Sequence, residues 1–552
     1  MKGYEYLARI LKGYGTTHVF YQEFMLFDTI KEAERLGIKP ILAHSEFAAG
    51  YMADGYARVK MQPGICMAQS VGAANLAASI HDAWLGTTPV LAFTGKKPPF
   101  YQNRNAYQES PHHYFFDGVT KLNLEIQDPI EMPRLVRQSL REAVTGKPRP
   151  VHLEVQGFTG ADQDNCEITE DVMIDEGFLN CPPIRLQAPS EDIHRAADAI
   201  DKSKKPVLVL GRGALVSGAG KEAVAIAEKC GIWITTTPDG KTLVDESHPL
   251  WAGIVGFYGM NCANKIVQAA DLVIFVGTQT SDQTTLDWTV PLPSVKTIQI
   301  DIDAAELGRS YPHCIGLQGD AKTVIGQLAG ALRSNSREDW IKQGKAFTAD
   351  TFARHEELWE SDSLPIKTER LCKEISDALP DDAILVADTG WSAVWSATMI
   401  RMKQSQFYTR AAGSLGWGFP ASLGAKCAAP DRPVVCFTGD GGFMYLNTEM
   451  ETSVRYGINT VTIINNNRSL AQCVPTPLSK YPDEEEYCRG RLSFTPVSFA
   501  KIAEAYGLFS IQVEKPEEIG PAIKNALASG RPALVEVLTN PIENYPLPSL
   551  EK

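Results

Sequence analysis

No apolar run in this 552-residue chain approaches the roughly eighteen residues that a bilayer-crossing helix needs, so no membrane role is expected. The opening residues, Met1-Lys2-Gly3-Tyr4-Glu5, begin an amphipathic pattern and not a cleavable leader. A Cys-x-x-Cys pair is also missing. The eleven cysteines are odd in number, and the nearest two, Cys427 and Cys436, stand nine positions apart. That spacing indicates neither a disulfide framework nor a cysteine-rich zinc site, and a reducing cytoplasm is the expected location. Positive charge is scarce: 53 Lys and Arg face 66 Asp and Glu, and the resulting −13 repels phosphate backbones. Nucleic acid is therefore not an expected partner. Short-period repeats and low-complexity tracts are absent as well. What is present, 44% apolar and 22% charged residues, excludes a disordered, collagen-like or coiled-coil chain and fits a soluble enzyme. The length allows three or four domains at roughly 150 residues each.

Strand-like apolar runs alternate with helix-period stretches along the whole chain. Ile41-Leu42-Ala43, Val90–Phe93, Val151–Val155, Val207–Leu210, Leu272–Val276 and Thr297–Ile300 are the earlier runs; Ile384–Val386, Val434–Phe437, Val461–Ile464 and Ala533–Val537 follow. Glu191–Lys202, Gly220–Cys230 and Pro516–Ala528 read as amphipathic helices between them. Apolar strands with helical crossovers predict parallel sheets covered on both faces, an α/β class of doubly wound domains. Two composition breaks, an acidic aperiodic stretch near 158–190 and a charged stretch near 335–365 that lacks strand-like runs and is expected to be helical in part, divide the pattern into blocks at 1–165, 186–335 and 365–552.

Chemistry first shows where the Val434–Phe437 run meets Thr438-Gly439-Asp440-Gly441-Gly442. Glycines at a strand-to-helix turn let a ligand approach the backbone, and free N–H groups there suit a phosphate. The next strand ends in Asn465-Asn466-Asn467. Adjacent parallel strands bring their carboxyl ends together, so Asp440 and Asn467 would offer hard oxygen ligands for Mg²⁺ against a diphosphate. Asn467 lies 27 residues beyond Asp440, and this arrangement resembles the thiamine diphosphate binding motif. The resemblance implies that Asp440, Asn467 and the main-chain oxygen of Ser469 hold the metal, with Gly439, Gly441, Gly442 and Leu470 beside the cofactor.

A second stretch, His44-Ser45-Glu46-Phe47-Ala48-Ala49-Gly50-Tyr51-Met52-Ala53-Asp54-Gly55-Tyr56-Ala57-Arg58, is similar to the H-E-x-x-A-x-x-x-A-x-G-Y-A-R run of thiamine diphosphate-dependent acetolactate synthases and decarboxylases, with Ser45 as an insertion. In that family the Glu carboxylate bonds N1′ of the aminopyrimidine, favours the 4′-imino tautomer and so allows the thiazolium C2 proton to leave. Gln69-Ser70-Val71-Gly72-Ala73-Ala74-Asn75 occupies the place of the family's S-G-P-G-x-x-N turn and retains Gly72 and Asn75. Gln108-Glu109 resembles its Phe-Gln-Glu element and puts Gln108 near substrate; Lys121, thirteen positions on, has the spacing of an active-site Lys or is a plain solvated one. Asp388-Thr389-Gly390-Trp391-Ser392 resembles the D-x-G turn at the diphosphate, which implicates Gly390, Trp391 and Ser392. Ala412-Gly413-Ser414-Leu415-Gly416-Trp417-Gly418 resembles the run that carries an apolar wedge under the cofactor, which implicates Gly413 and Leu415. Glu449 reads as structural.

Departures from the family pattern fall around the substrate. Tyr21-Gln22-Glu23-Phe24 replaces a Gly-rich loop, His112-His113 sit between Gln108 and Lys121 as candidate proton shuttles, and Cys473 follows the metal loop. The polar stretch 476–491 is a candidate lid. In the middle block Gln279 and Gln283 stand where acetolactate synthases carry two arginines, so FAD is expected to be absent or weakly bound. The resemblance covers nearly the whole chain. It implies a pyrimidine-binding domain, a central domain and a diphosphate-binding domain, a small carbonyl substrate, and a homodimer at minimum with a homotetramer common. An acetolactate synthase-like carboligase is the first reading. A non-ligating lyase (2-oxo acid decarboxylase, acyl-CoA lyase or diketone cleaver) is the second, and a catalytically silent homologue the third.

Overall fold

The computed structural model describes residues 1–542; the last ten residues of the expected 365–552 block lie outside the described residues. Three six-stranded sheets of parallel strands follow one another along the chain, so the doubly wound α/β class read from the sequence is the class of the structure. The first sheet holds β1 (His18–Tyr21), β2 (Lys39–Leu42), β3 (Gly64–Gln69), β4 (Val90–Lys96), β5 (Leu122–Glu125) and β6 (Val151–Gln156), in the order β2-β1-β3-β4-β6-β5. The second holds β7 (Pro206–Leu210), β8 (Trp233–Thr236), β9 (Trp251–Ile254), β10 (Leu272–Val276), β11 (Lys296–Asp301) and β12 (Cys314–Gln318), in the order β12-β11-β10-β7-β8-β9. The third holds β13 (Ile384–Ala387), β14 (Phe407–Arg410), β15 (Val434–Gly439), β16 (Val461–Asn466), β17 (Phe509–Val513) and β18 (Ala533–Leu538), in the order β14-β13-β15-β16-β18-β17.

The central strands are buried along nearly their whole length, as Leu272–Val276 and Val434–Phe437 illustrate, because helices cover both sheet faces. The stretch 335–365 contains a 22-residue helix, Glu338–Trp359, which is the helical part expected there. Among the described residues no helix is long and apolar enough to cross a membrane.

Parallel α/β sheets bind ligands where the strand order reverses, beyond the carboxyl ends of the strands. The reversal falls between β1 and β3 in the first sheet, β7 and β10 in the second, and β13 and β15 in the third. The residues just after these strands are Gln22 and Ser70, Gly211 and Gly277, and Asp388 and Asp440. The turns at Ser70, Asp388 and Asp440 therefore sit at topological switch points, whereas Glu46, Asn467 and the 412–418 run follow the neighbouring strands β2, β16 and β14.

The first and third lobes touch through two helices, Glu46–Lys60 and Gly418–Ala428, that cross backbone to backbone. A Cβ on Gly55 would come 2.1 Å from the Ala421 carbonyl oxygen, and one on Gly424 would come 1.9 Å from that of Met52. Only glycine fits at these two positions. The pairing of 55 with 421 and 52 with 424 makes the helices antiparallel.

Candidate active site

The third-lobe half is built from loops that follow β13, β15 and β16. Asp388 is buried and organises them: it accepts the Thr389 N–H at 2.7 Å, the Gly416 N–H at 3.2 Å and the Thr438 hydroxyl at 3.0 Å. Gly390, at φ 72°, is in the left-handed region and turns the chain into the Trp391–Thr398 helix, which buries Ser392. Gly442 packs so closely on Asp388 that a Cβ would sit 2.6 Å from its Oδ2. Gly439 and Gly413 face the other way. The nearest atom to a Cβ on Gly439 is Ser392 Oγ at 3.5 Å, and a Cβ on Gly413 would meet nothing within 4 Å. These two leave the open space that a diphosphate and a thiazolium ring would need.

Asp440 is 3% exposed, and burial pushes its carboxyl up to about 7, partly offset by main-chain N–H groups of Gly441, Ser469 and Arg468. It makes no ion pair among the described residues. A carboxylate so placed has a standing need for a cation. Asn467 turns its Oδ1 to the Ser469 N–H at 3.1 Å, with Arg468 between them at φ 56°, so the 467–469 turn presents amide and carbonyl oxygens beside Asp440. Ser469 is anchored from behind, its hydroxyl donating to the Leu492 carbonyl at 3.1 Å; Leu470 packs 2.7 Å from a Cβ on Gly441. Among the described residues no group of three or more His, Cys, Asp or Glu is placed to hold a metal. The donor set here is one carboxylate, one amide and one carbonyl. It fits Mg²⁺, which takes oxygen ligands and completes its shell with phosphate and water.

Leu415 is half-buried and joins none of the apolar clusters. Its loop is fixed from the first lobe. Asp82, fully buried near the end of the Gly72–Leu85 helix, accepts the N–H groups of Ala412, Gly413 and Ser414 at 3.0, 3.0 and 2.9 Å and pairs with Arg58 at 3.1 Å. Arg58 in turn binds Asp54 and the Arg410 carbonyl, and Asp54 accepts Trp417 Nε1–H. Sequence reading missed Asp82. Nothing in its local pattern marks it, because the loop it holds lies more than 300 positions away.

The first-lobe half centres on Glu46, which opens the Glu46–Lys60 helix after Ser45, whose hydroxyl caps the Ala48 N–H. Asn75 donates to Glu46 Oε2 at 3.1 Å, and Gly72 is the floor: a Cβ there would lie 2.4 Å from Glu46 Oε1. Glu46 is half-buried and Asn75 is exposed. The carboxylate is thus oriented but open on one side. Glu449 is structural, as the sequence suggested: it accepts the His44 N–H at 2.9 Å and the Thr452 hydroxyl at 2.7 Å.

Gln108 sits beside this half, its carbonyl accepting the Ser70 hydroxyl, and its side-chain Oε1 is buried without a hydrogen-bond partner. His112 and His113 are separated by the structure. His112 is buried, with Nδ1 2.9 Å from Thr94 Oγ1 and 3.1 Å from Glu154 Oε1, and lines the same cavity as Gln108. His113 is exposed and lies 3.9 Å from Asp117, on the far side of a five-residue helix. The expected active-site spacing of Lys121 has a different cause. Its ammonium, half-buried and lowered by burial, caps the carbonyls of Glu142, Thr145 and Lys147 at a helix end, so it is structural. Glu23 accepts from Gln69 at the mouth, and Cys473 is exposed.

In the second lobe the switch point opens into a cavity of about 420 Å³ lined by Arg212, Asp239, Gln279, Gln283, Asp301 and Arg410 among others. Arg410 is committed to Asp239 at 2.9 Å and Gln283 at 3.1 Å, whereas Arg212 Nε is buried without a partner.

Glu46 and Asp440 stand at opposite ends of the antiparallel helix pair. The Gly418 end lies against Asp388 and, through it, Gly442. Asp54 meets Trp417 near that end, and Glu46 is eight residues further along its helix, about 12 Å at 1.5 Å per residue.

Family models agree with this architecture. The model described as the N-terminal TPP binding domain of thiamine pyrophosphate enzymes matches residues 1–115, that of the central domain 193–328, and that of the C-terminal TPP binding domain 388–537. A probable acetolactate synthase large subunit of Methanocaldococcus jannaschii is 31% identical over 99% of this chain and 93% of its own length. The acetolactate synthase large subunit of Lactococcus lactis is 31% identical over 94% and 88%, and the isozyme 1 large subunit of Escherichia coli 29% over 95% and 90%. The chain belongs to the thiamine pyrophosphate enzyme family, with acetolactate synthase large subunits among its relatives.

Proposed function

We propose that this enzyme is a Mg²⁺-dependent carboligase of the acetolactate synthase kind, acting on a 2-oxo acid and a second carbonyl compound. The observation that carries the reading is Glu46, an oriented carboxylate on a glycine floor with no cationic partner among the described residues, in a chain whose third lobe keeps Asp440, Asn467 and Ser469 together. When bound, thiamine diphosphate supplies a thiazolium carbon that adds to a carbonyl and accepts the electron pair of the bond that breaks. Glu46 holds a proton against the aminopyrimidine N1′ and so sets its tautomer. Asp440, the Asn467 amide and the Ser469 carbonyl hold the metal, and Gly390, Trp391, Ser392, Gly439, Gly441 and Gly442 shape the diphosphate crevice. Gly413 and Leu415 set the bend between the two rings, with Leu470 closing the metal side. Gln108 and His112 face the substrate; His113 takes no part.

The two halves are proposed to come from different subunits. Their placement at opposite ends of one helix pair supports this, as does a collar of exposed aromatics on the first lobe: Phe24, Phe27, Phe100, Tyr101, Tyr107 and Tyr114, the last 80% exposed. Such a surface beside a half-open carboxylate is what a second copy would cover. A homodimer is the minimum, and a tetramer of two such dimers is the favoured assembly. In the second lobe Gln279 and Gln283 bring no charge for a flavin diphosphate, which supports absent or weak FAD.

Product analysis with pyruvate alone, then with an added aldehyde, tests the reading. A new C–C bond in either incubation supports ligation; release of free aldehyde alone would replace it with the non-ligating lyase. Failure to exchange the cofactor C2 proton for deuterium would favour a silent homologue.

A further inference from the structure

A second cavity, of about 260 Å³, opens beside Gln108 and is lined by Ser70, Lys96, Lys97, Gln102, Asn103 and His112, with Glu109 and Ser110 at its edge. It has room for roughly nine water-sized atoms, far more than the methyl group of pyruvate fills. Its lining carries no aliphatic or aromatic side chain apart from Pro111.

The charges around it are almost all spent. Lys96 pairs with Glu125 at 3.1 Å and Glu154 at 3.6 Å. Glu109 accepts the main-chain N–H groups of Asn103 at 2.6 Å and Ala106 at 3.3 Å, which ties the loop down. Two groups remain. Lys97 has no carboxylate partner among the described residues; its ammonium lies 3.7 Å over the Phe158 ring, which holds it without using its N–H donors. Gln108 Oε1 is a buried acceptor lacking a donor. The backbone is also held against its preference here: Ser70 (φ 41°), Asn103 (φ 59°), Asn105 (φ 54°) and Gln108 (φ 58°) are all left-handed. Such clusters persist where the surroundings impose them, as in ligand clamps.

We propose that this cavity selects the substrate by its remote end: Lys97 binds a terminal carboxylate or phosphate, and Gln108 Oε1 accepts from a hydroxyl nearer the reacting carbonyl. The preferred partner of the 2-oxo acid is then an anionic, hydroxylated carbonyl compound and not a second pyruvate. The inference rests on the carboligase reading given above and adds the substrate class.

The test uses the enzyme loaded with thiamine diphosphate and Mg²⁺, pyruvate as donor, and matched acceptors. Succinic semialdehyde against butanal reads the carboxylate; glyceraldehyde 3-phosphate against glyceraldehyde reads the phosphate. At least one anionic member should exceed its neutral counterpart about tenfold in kcat/KM, chiefly through KM. Lys97→Met should reduce that ratio below about threefold, and Lys97→Arg should largely restore it. Neither pair showing a preference, or a preference surviving in Lys97→Met, overturns the proposal. If no acceptor reacts, deuterium exchange at cofactor C2 shows whether the catalytic reading itself has failed. Calorimetric titration of succinate and glycerol 3-phosphate then decides the pocket separately. Binding that Lys97→Met abolishes supports it, and no binding to the unaltered protein overturns it.

Discussion

The first and third lobes share one strand order, β2-β1-β3-β4-β6-β5 and β14-β13-β15-β16-β18-β17, yet their switch points do opposite things. In the third lobe Gly439 and Gly413 leave space empty of protein. In the first lobe the comparable glycine, Gly72, makes room for the protein's own Glu46. Fold alone does not set the ligand. One glycine turn leaves room for a ligand when nothing of the chain enters it, and seats the chain's own carboxylate when a neighbouring helix begins there. Under the proposed function, activation falls to the first lobe and anchoring to the third.

Substitution should break this division cleanly. Glu46→Gln keeps the side chain's shape and its contact with Asn75 while removing the proton acceptor. Turnover should fall about 10²–10⁴-fold with cofactor affinity within about threefold. Asp440→Ala should do the reverse, weakening Mg²⁺-dependent cofactor retention about 100-fold in calorimetric titration. Comparable turnover in Glu46→Gln and the unaltered enzyme would remove Glu46 from the mechanism; unchanged retention in Asp440→Ala would end the metal assignment. Mixing the two variants sharpens the contrast. If each site takes one half from each subunit, random re-association should restore about a quarter of the activity, because half the dimers regain one intact site. If both halves come from one chain, no activity returns.

A smaller effect should follow from loosening the joint between the lobes. Asp82→Ala leaves three loop N–H groups without their buried acceptor and takes from Arg58 one of its two carboxylate partners. A cost of about 3–5 kcal/mol is expected, seen as a lower unfolding midpoint in urea. Turnover should drop as the Gly413–Leu415 loop loses its fixed position. A variant with full stability and full turnover would show that the third lobe holds this loop unaided.

Much of this arrangement was legible in the sequence, for reasons that differ by element. Strands such as Leu272–Val276 are buried on both faces and so read as unbroken apolar runs. Edge strands such as Leu122–Glu125 are half-buried throughout and carry no such run. Family membership was legible because the motifs around Glu46, Asp440 and Asn467 couple residue type to spacing. Asp82 was not, since its role exists only after two lobes meet. His112 and His113 looked equivalent as neighbours, and only the helix that buries one and exposes the other tells them apart. Lys121 shows the opposite error, where a family spacing is met by a residue that caps a helix end.

The lobes should also answer pH with opposite signs, though by less than the changes above. In the first, burial lowers the His18 imidazole to about 4, helped by Lys39 and Lys60, so the folded chain keeps it neutral. The unfolded chain takes up a proton below about 6.5, and stability is lost as pH falls from there towards 4. In the third, burial raises Asp388 to about 6 against the N–H and hydroxyl groups that bind it. The folded chain then holds a proton that the unfolded chain releases above its ordinary carboxylate range, so this contribution is full in acid and lost as pH rises through 6. Each shift corresponds to about 2–3 kcal/mol at most. Hydrogen exchange resolved by peptide, corrected for intrinsic rate, should show β1 opening more readily at pH 4 than at pH 7 and β13 the reverse. His18→Gln should flatten only the first response and Asp388→Asn only the second. If both strands follow one pH trend in every variant, the two lobes open as a single unit, and the division drawn between them is chemical but not energetic.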